Sequence, residues 1–235
     1  EDPVVSGKVT AALVNGIQSN GVGATLKHFA FNNQETNRGN NNAKMSDRTA
    51  REIYLKGFEI AVKESNPWAI MTSYNRINGV HTAESYPLLE GILRGEWKFE
   101  GAVMTDWGGG KDAVAMVKAG NDLLMPGNAR QRQAIIDAVN NGTLDIADVD
   151  RNVKRILQLV EKSPKFYGYQ PTNTPDMKAH AEIARQSAAE GMVLLKNDNN
   201  VLPLANNIKN IALYGISSYK FLAVGTGSGS VNYEY

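Results

Sequence analysis

The sequence predicts an α/β fold whose parallel strands are joined by helical crossovers. Two observations carry this. Short apolar runs of strand character alternate with amphipathic helical segments at least four times along the chain. One of those runs, Gly-Ala-Val-Met-Thr-Asp-Trp-Gly-Gly-Gly (101–110), ends abruptly in a carboxylate, an indole and three glycines. That is the pattern of a buried strand delivering polar groups to the rim of a sheet, and in a barrel of parallel strands such ends carry the chemistry.

The elements follow in order. Val5 to Asn20 has helical spacing of Val9, Ala12, Leu13 and Ile17. Gly21-Val22-Gly23 makes a turn, and 24–30 reads as a strand ending near Lys27-His28-Phe29. Residues 31–44 are rich in Asn and hold Gln34, Glu35 and Arg38, too polar for a core element, so they read as a loop. Ser46-Asp47 opens a helix to about Glu64, with Ile53, Phe58, Ile60 and Ala61 as its apolar residues. Pro67 stops it. Strand 68–74, helix 88–97, strand 101–105, helix 111–119 and strand 122–125 follow, the last closed by Pro126-Gly127. Two more helices are expected over 131–140 and 148–160.

Four strands are about half of an eight-stranded barrel. Either further strands precede Glu1, or the sheet is an open doubly wound one. Residues 164–175 hold Pro164, Pro171 and Pro175 and few aliphatic residues, as a linker would. Past it, 176–195 reads as a helix and 208–216 as a strand, followed by Gly225-Thr226-Gly227-Ser228-Gly229. This stretch is too short for an independent core, so the start of a second domain is expected there.

Bulk properties exclude several classes. Of 235 residues, 42% are hydrophobic and 21% charged, with a formal net charge of +1. Nothing in that balance points to nucleic acid or a membrane surface as partner. There is no cysteine, hence no disulfide framework or thiolate chemistry, and the compartment stays open among cytoplasm, periplasm and secretion. The chain opens on Glu-Asp-Pro without Met, which reads as an interior or processed start.

Three strand ends bear polar or aromatic side chains: Lys27-His28, Tyr74 and Asp106-Trp107. A parallel sheet brings such ends to one face, and the loop after the first would place Glu35 and Arg38 on the same side. Charged and amide groups bind hydroxyls, while an indole stacks on the C–H surface of a sugar. Basic neighbours favour the charged carboxylate that a nucleophile requires. Each residue also has a plainer reading. Asp106 can cap the next helix, Lys27 can reach solvent, and His28 can be a hydrogen-bonded core residue. Glu35 and Arg38 can form a surface pair, and Tyr74 and Trp107 can be core aromatics. Their coincidence on consecutive strand ends favours a site. The histidines at 28, 81 and 180 lack metal-ligand spacing, no Gly-x-Ser-x-Gly elbow occurs, and the glycine run at 225–229 fits no phosphate or dinucleotide motif. No cofactor or metal is expected.

The motifs resemble those of glycoside hydrolase family 3. Gly-Val-Gly-Ala-Thr-Leu-Lys-His-Phe-Ala-Phe-Asn-Asn-Gln-Glu-Thr-Asn-Arg (21–38) is similar to the family's Lys-His-Phe signature. Segments 46–55, Met-Thr-Ser-Tyr-Asn (71–75), Val-Met-Thr-Asp-Trp (103–107), Ala-Gly-Asn-Asp-Leu-Leu-Met-Pro-Gly (119–127) and Glu-Gly-Met-Val-Leu-Leu-Lys-Asn (190–197) match in order. The bacterial β-glucosidases of the family are the nearest in kind. The resemblance implies part of a (β/α)8 TIM-like barrel over 1–163, a linker over 164–175, and the beginning of an α/β sandwich over 176–235.

It further implies a retaining, exo-acting β-glucosidase acting on β-glucosides or cello-oligosaccharides. Asp106 matches the nucleophile. Lys27, His28 and Arg38 match residues holding the sugar's hydroxyls, Tyr74 a residue beside the nucleophile, Trp107 a wall of the subsite, and Ser228 a ligand on a loop from the sandwich. The family's acid/base Glu is expected beyond Tyr235, and a sugar-binding Asp and Arg before Glu1. The partner is then the remainder of the same polypeptide or a complementary chain, and a homo-oligomer is compatible. β-Xylosidase and β-N-acetylglucosaminidase are alternatives, although Ala-Phe-Asn-Asn after Lys27-His28-Phe29 departs from the latter branch. A non-catalytic sugar-binding fragment is the third reading.

Overall fold

The computed structural model describes residues 2–220, 223–225 and 227–230. It divides into two compact units, Glu1–Pro171 and Thr172–Tyr235.

The first unit is built on parallel strands β1 (Thr25–Phe29), β3 (Ala69–Thr72) and β6 (Ala102–Met104), in the order β1-β3-β6. Leu26 lies opposite Ile70, and Ile70 opposite Val103. Helices cross between successive strands, as the alternation requires. β2 (Asn42–Ala43), β4 (Arg76–Ile77) and β5 (Val80–His81) make a second small sheet from the loops beyond β1 and β3. The expected strand at 122–125 is present only as a parallel bridge between Met104 and Leu123. Thr105 N donates to the Leu123 carbonyl and Gly108 N to that of Met125, so this segment still runs beside β6. Among the described residues no strand pairs with its far side, and a strand gains its regular ladder from neighbours.

The core lies between sheet and helices. Phe29, Ile70, Val103, Leu89 and Leu93 are fully buried. Phe29 meets Phe58 and Trp97 edge to face, with centroids 5.1 Å and 5.9 Å apart. The helix Pro3–Gln18 is capped by Asp2, whose carboxylate accepts from Val4 N and Val5 N. Its buried face is Gly7, Ala11 and Val14, not the expected Val9, Leu13 and Ile17, which are exposed. Small residues win because this helix packs closely on Lys56–Ser65. A methyl at Gly7 would come within 2.8 Å of Ile60 Cβ. The helical run over 47–65 contains a π-type stretch, Ala50–Tyr54, closed by Leu55 N donating to the Ala50 carbonyl. Leu55, Ala61 and Val62 are buried there, while Ile53 faces solvent.

A buried ion-pair network ties the lower helices to the sheet. The Asp122 carboxylate, with no exposed side-chain surface, accepts from Arg94 Nη2 at 2.7 Å, Arg155 Nη1 at 3.3 Å and Val103 N at 2.8 Å. Burial pushes the Arg94 guanidinium down to about 10. Asp122 therefore serves the fold.

The second unit holds the helix Met177–Gly191, capped by Asp176, and short turns at Asp198–Asn200, Ile216–Ser218 and Gly227–Gly229. The expected strand at 208–216 is not formed. A strand's backbone groups are completed by a neighbouring strand, and among the described residues of this unit none pairs with it. Ile208, Ile211 and Leu213 are exposed.

Candidate active site

The site forms where β1, β3 and β6 end. β3 is followed by Ser73-Tyr74-Asn75 and β6 by Thr105-Asp106, while after β1 the buried Ala30-Phe31 precede the polar loop that starts at Asn32; parallel strands bring such ends to one face. His28 lies on β1, Tyr74 two residues past β3, and Asp106 two residues past β6.

Asp106 is central. Its backbone N donates to the Thr72 carbonyl at 3.2 Å, which holds it beside β3. Its Oδ1 accepts from Trp107 N at 2.7 Å. His28 Nε2 lies 3.3 Å from Asp106 Oδ2. The carboxylate is largely buried, with 15% of its side chain exposed. Burial pushes the His28 imidazole below its ordinary 6.5, against the opposing pull of the Asp106 charge. A neutral imidazole beside a carboxylate can donate one hydrogen bond while leaving that charge in place.

Tyr74 sits on the other flank. Its hydroxyl donates to the Trp107 carbonyl at 2.8 Å. Burial first, then the charge of the neighbouring Asp106 carboxylate, raise the phenol above its ordinary 10.0. The Arg38 guanidinium stacks over the Tyr74 ring at 4.6 Å. Arg38 Nη1 also donates to Glu35 Oε2 at 2.7 Å, and Asn32 Nδ2 to Glu35 Oε1 at 2.8 Å. The Asn-rich loop is thus bonded into a definite shape that returns Arg38 to the strand ends. Trp107 keeps 66% of its surface exposed.

Lys27 is exposed on β1 and, with His28, Asn32 and Tyr54, lines a cavity of about 520 Å³. A second cavity of about 600 Å³ lies between the helices Ala129–Asn140 and Ile146–Lys162. Leu123, Ile135, Val149 and Val153 line it, and it is mostly aliphatic, ill suited to a polyhydroxylated ligand.

The structure therefore brings together His28, Arg38, Tyr74, Asp106 and Trp107, with Lys27 beside them in the chain. Ser228 is exposed in the Gly227–Gly229 turn of the second unit. One participant carries no local signal in the sequence. Glu84 Oε1 accepts from Lys111 N and Asp112 N, at the far end of the loop that Trp107 begins. Among the described residues no cluster of three or more His, Cys, Asp or Glu could hold a metal ion.

Residues 1–159 match the glycosyl hydrolase family 3 N-terminal domain, and residues 192–235 its C-terminal domain. The chain is 43% identical over its whole length to β-glucosidase B of Emericella nidulans, covering 28% of that protein. It is 42% identical to an exo-α-(1→6)-L-arabinopyranosidase of Bifidobacterium longum, covering all of this chain and 30% of that one. Among solved structures, β-glucosidase 3B of Thermotoga neapolitana in complex with glucose superposes with a TM-score of 0.93 at 46% identity, over 99% of this chain and 33% of that one. The chain thus spans about a third or less of the length of these relatives. The parallel α/β unit matches part of the barrel-like domain of these glucosidases, and with both domain matches in order along the sequence, this chain belongs to glycosyl hydrolase family 3.

Proposed function

We propose that this chain supplies the nucleophile and the innermost sugar-binding residues of a retaining, exo-acting β-glucosidase. The observation that carries it is the largely buried Asp106 carboxylate at a strand end, contacted by His28 and flanked by Tyr74. In the first step an Asp106 oxygen attacks the anomeric carbon while the C1–O bond to the leaving group breaks. A Glu expected outside these residues protonates the departing oxygen. That Glu then takes a proton from water, water attacks C1, and Asp106 leaves. Lys27, His28 and Arg38 hold hydroxyls, and Trp107 walls the sugar. The domain limits proposed are 1–163 for the barrel portion, 164–175 for the linker and 176–235 for the start of the sandwich.

The test uses the polypeptide that carries this chain. A 2-deoxy-2-fluoro-β-glucoside with a dinitrophenyl leaving group should label the peptide containing Asp106, read by mass spectrometry. Asp106→Asn should abolish the label and lower kcat on the order of 10⁴-fold or more. A label on any other carboxylate sinks the assignment.

A second reading is exo-α-L-arabinopyranosidase, favoured by the 42% identity to the Bifidobacterium longum enzyme of that name. L-Arabinopyranose lacks the C5 hydroxymethyl group and carries an axial C4 hydroxyl. Relative kcat/KM on the nitrophenyl β-glucoside and α-L-arabinopyranoside separates the two.

A further inference from the structure

The loop leaving Asp106 runs Trp107-Gly108-Gly109-Gly110, and three consecutive glycines give a backbone little intrinsic preference. It is nonetheless tied down on the strand side. Gly109 N donates to the Asp106 carbonyl and Gly108 N to the Met125 carbonyl, each at 2.8 Å. The Tyr74 hydroxyl holds the Trp107 carbonyl. On the other side it is held by the Glu84 carboxylate. Glu84 Oε1 accepts from Lys111 N and, at 3.0 Å, from Asp112 N. Hydrogen bonds to an ionised acceptor are the stronger kind.

Glu84 is itself rigidly based. It ends the short turn Thr82–Glu84, in which Thr82 and Ala83 are fully buried. Thr82 Oγ1 donates to the Ser73 carbonyl at 2.8 Å and Thr82 N to that of Asn75 at 3.2 Å. The carboxylate is therefore fixed to the end of β3, the same ground that carries Tyr74. Asp112, the residue it grips, caps the helix Ala113–Lys118 by accepting from Val114 N and Ala115 N.

We propose that Glu84 is a positioning residue for Trp107. By holding the Lys111 and Asp112 amides to the end of β3, it sets the span of the triple-glycine loop and so the place of the indole beside Asp106. The proposal rests on the reading of Trp107 as a wall of the sugar site. Glu84 acts through the loop and touches no substrate, so it governs binding more than bond cleavage.

Glu84→Ala, Glu84→Gln and Glu84→Asp, made in the polypeptide that carries this chain, test it. Gln keeps an acceptor oxygen at the same reach, Asp is one methylene too short, and Ala removes the acceptor. Glu84→Ala should raise KM for a nitrophenyl β-glucoside about tenfold or more and leave kcat within about threefold. Glu84→Gln should stay within about threefold of the parent in both. Without sugar, iodide quenching of Trp107, isolated by difference against Trp107→Phe, should change in Glu84→Ala and not in Glu84→Gln. If Glu84→Ala does not fold, Glu84→Asp decides: a raised KM supports the role and an unchanged one overturns it. Unchanged KM and quenching in Glu84→Ala, or equal losses of kcat in Ala and Gln variants, overturn it as well. Should the parent not hydrolyse glucosides, the functional reading fails while the quenching comparison still decides the role of Glu84.

Discussion

The Tyr74 hydroxyl donates to the Trp107 carbonyl at 2.8 Å, joining the end of β3 to the first residue of the loop after β6. One phenol thus borders the Asp106 carboxylate and steadies the exposed indole. Tyr74→Phe removes this donor and leaves the ring under Arg38. kcat/KM should fall by about tenfold, with stability changed by only about 1 kcal/mol, as for a typical single hydrogen bond. Steady-state kinetics beside urea denaturation reads both. A large stability loss with unchanged kcat/KM would make Tyr74 a packing residue.

His28 should titrate below 6.5, since burial disfavours the imidazolium more than the Asp106 charge favours it. The folded value lies below the unfolded one, so between the two the unfolded chain binds the extra proton. His28 therefore costs the fold nothing above the unfolded value and costs it stability as pH falls toward the folded value. Asp106→Asn removes the charge that supports the imidazolium and should lower the midpoint further. NMR titration of the ring measures both. A midpoint above 6.5, or one that rises in Asp106→Asn, contradicts the arrangement.

Arg94→Ala should be severely destabilising. Its guanidinium donates to the carbonyls of Phe99 at 3.2 Å and Gly101 at 2.9 Å, and to Asp122 at 2.7 Å. The residue is 8% exposed. Removing it leaves the Asp122 carboxylate buried with, among the described residues, Arg155 as its one charged partner, at 3.3 Å. Breaking a buried pair in this way costs about 3–5 kcal/mol. Chemical denaturation should show a loss of that order, and a loss below about 1 kcal/mol would mean the network is solvated.

Gly110→Ala should disturb the loop directly. Gly110 has φ +74°, and a Cβ there would meet Met116 Sδ at 2.5 Å. Met116 is fully buried, so it has little room to yield. A cost of about 1–3 kcal/mol is expected from overpacking together with the left-handed backbone. Thermal melts test the stability, and KM for the glucoside tests whether Trp107 moves with the loop.

The sequence by itself determined where the three strands of the main sheet lie. The spans 24–30, 68–74 and 101–105 contain β1, β3 and β6, because buried parallel strands leave continuous apolar runs that are read locally. It also determined the family, since motifs are local strings, and it marked Asp106, His28 and Tyr74 as strand-end residues. Only the tertiary structure decided which helix faces are buried. Val9 and Leu13 have the spacing of a core stripe, yet Gly7 and Ala11 face the core because close helix packing rewards small side chains. Only the tertiary structure gave Glu84 its partners, since two amides on a distant loop leave no trace in the residues around a glutamate. Residues 208–216 show the same limit from the other side. An apolar pattern marks a candidate strand, but hydrogen bonds to a neighbour make one, and that neighbour is set by topology rather than by the segment itself.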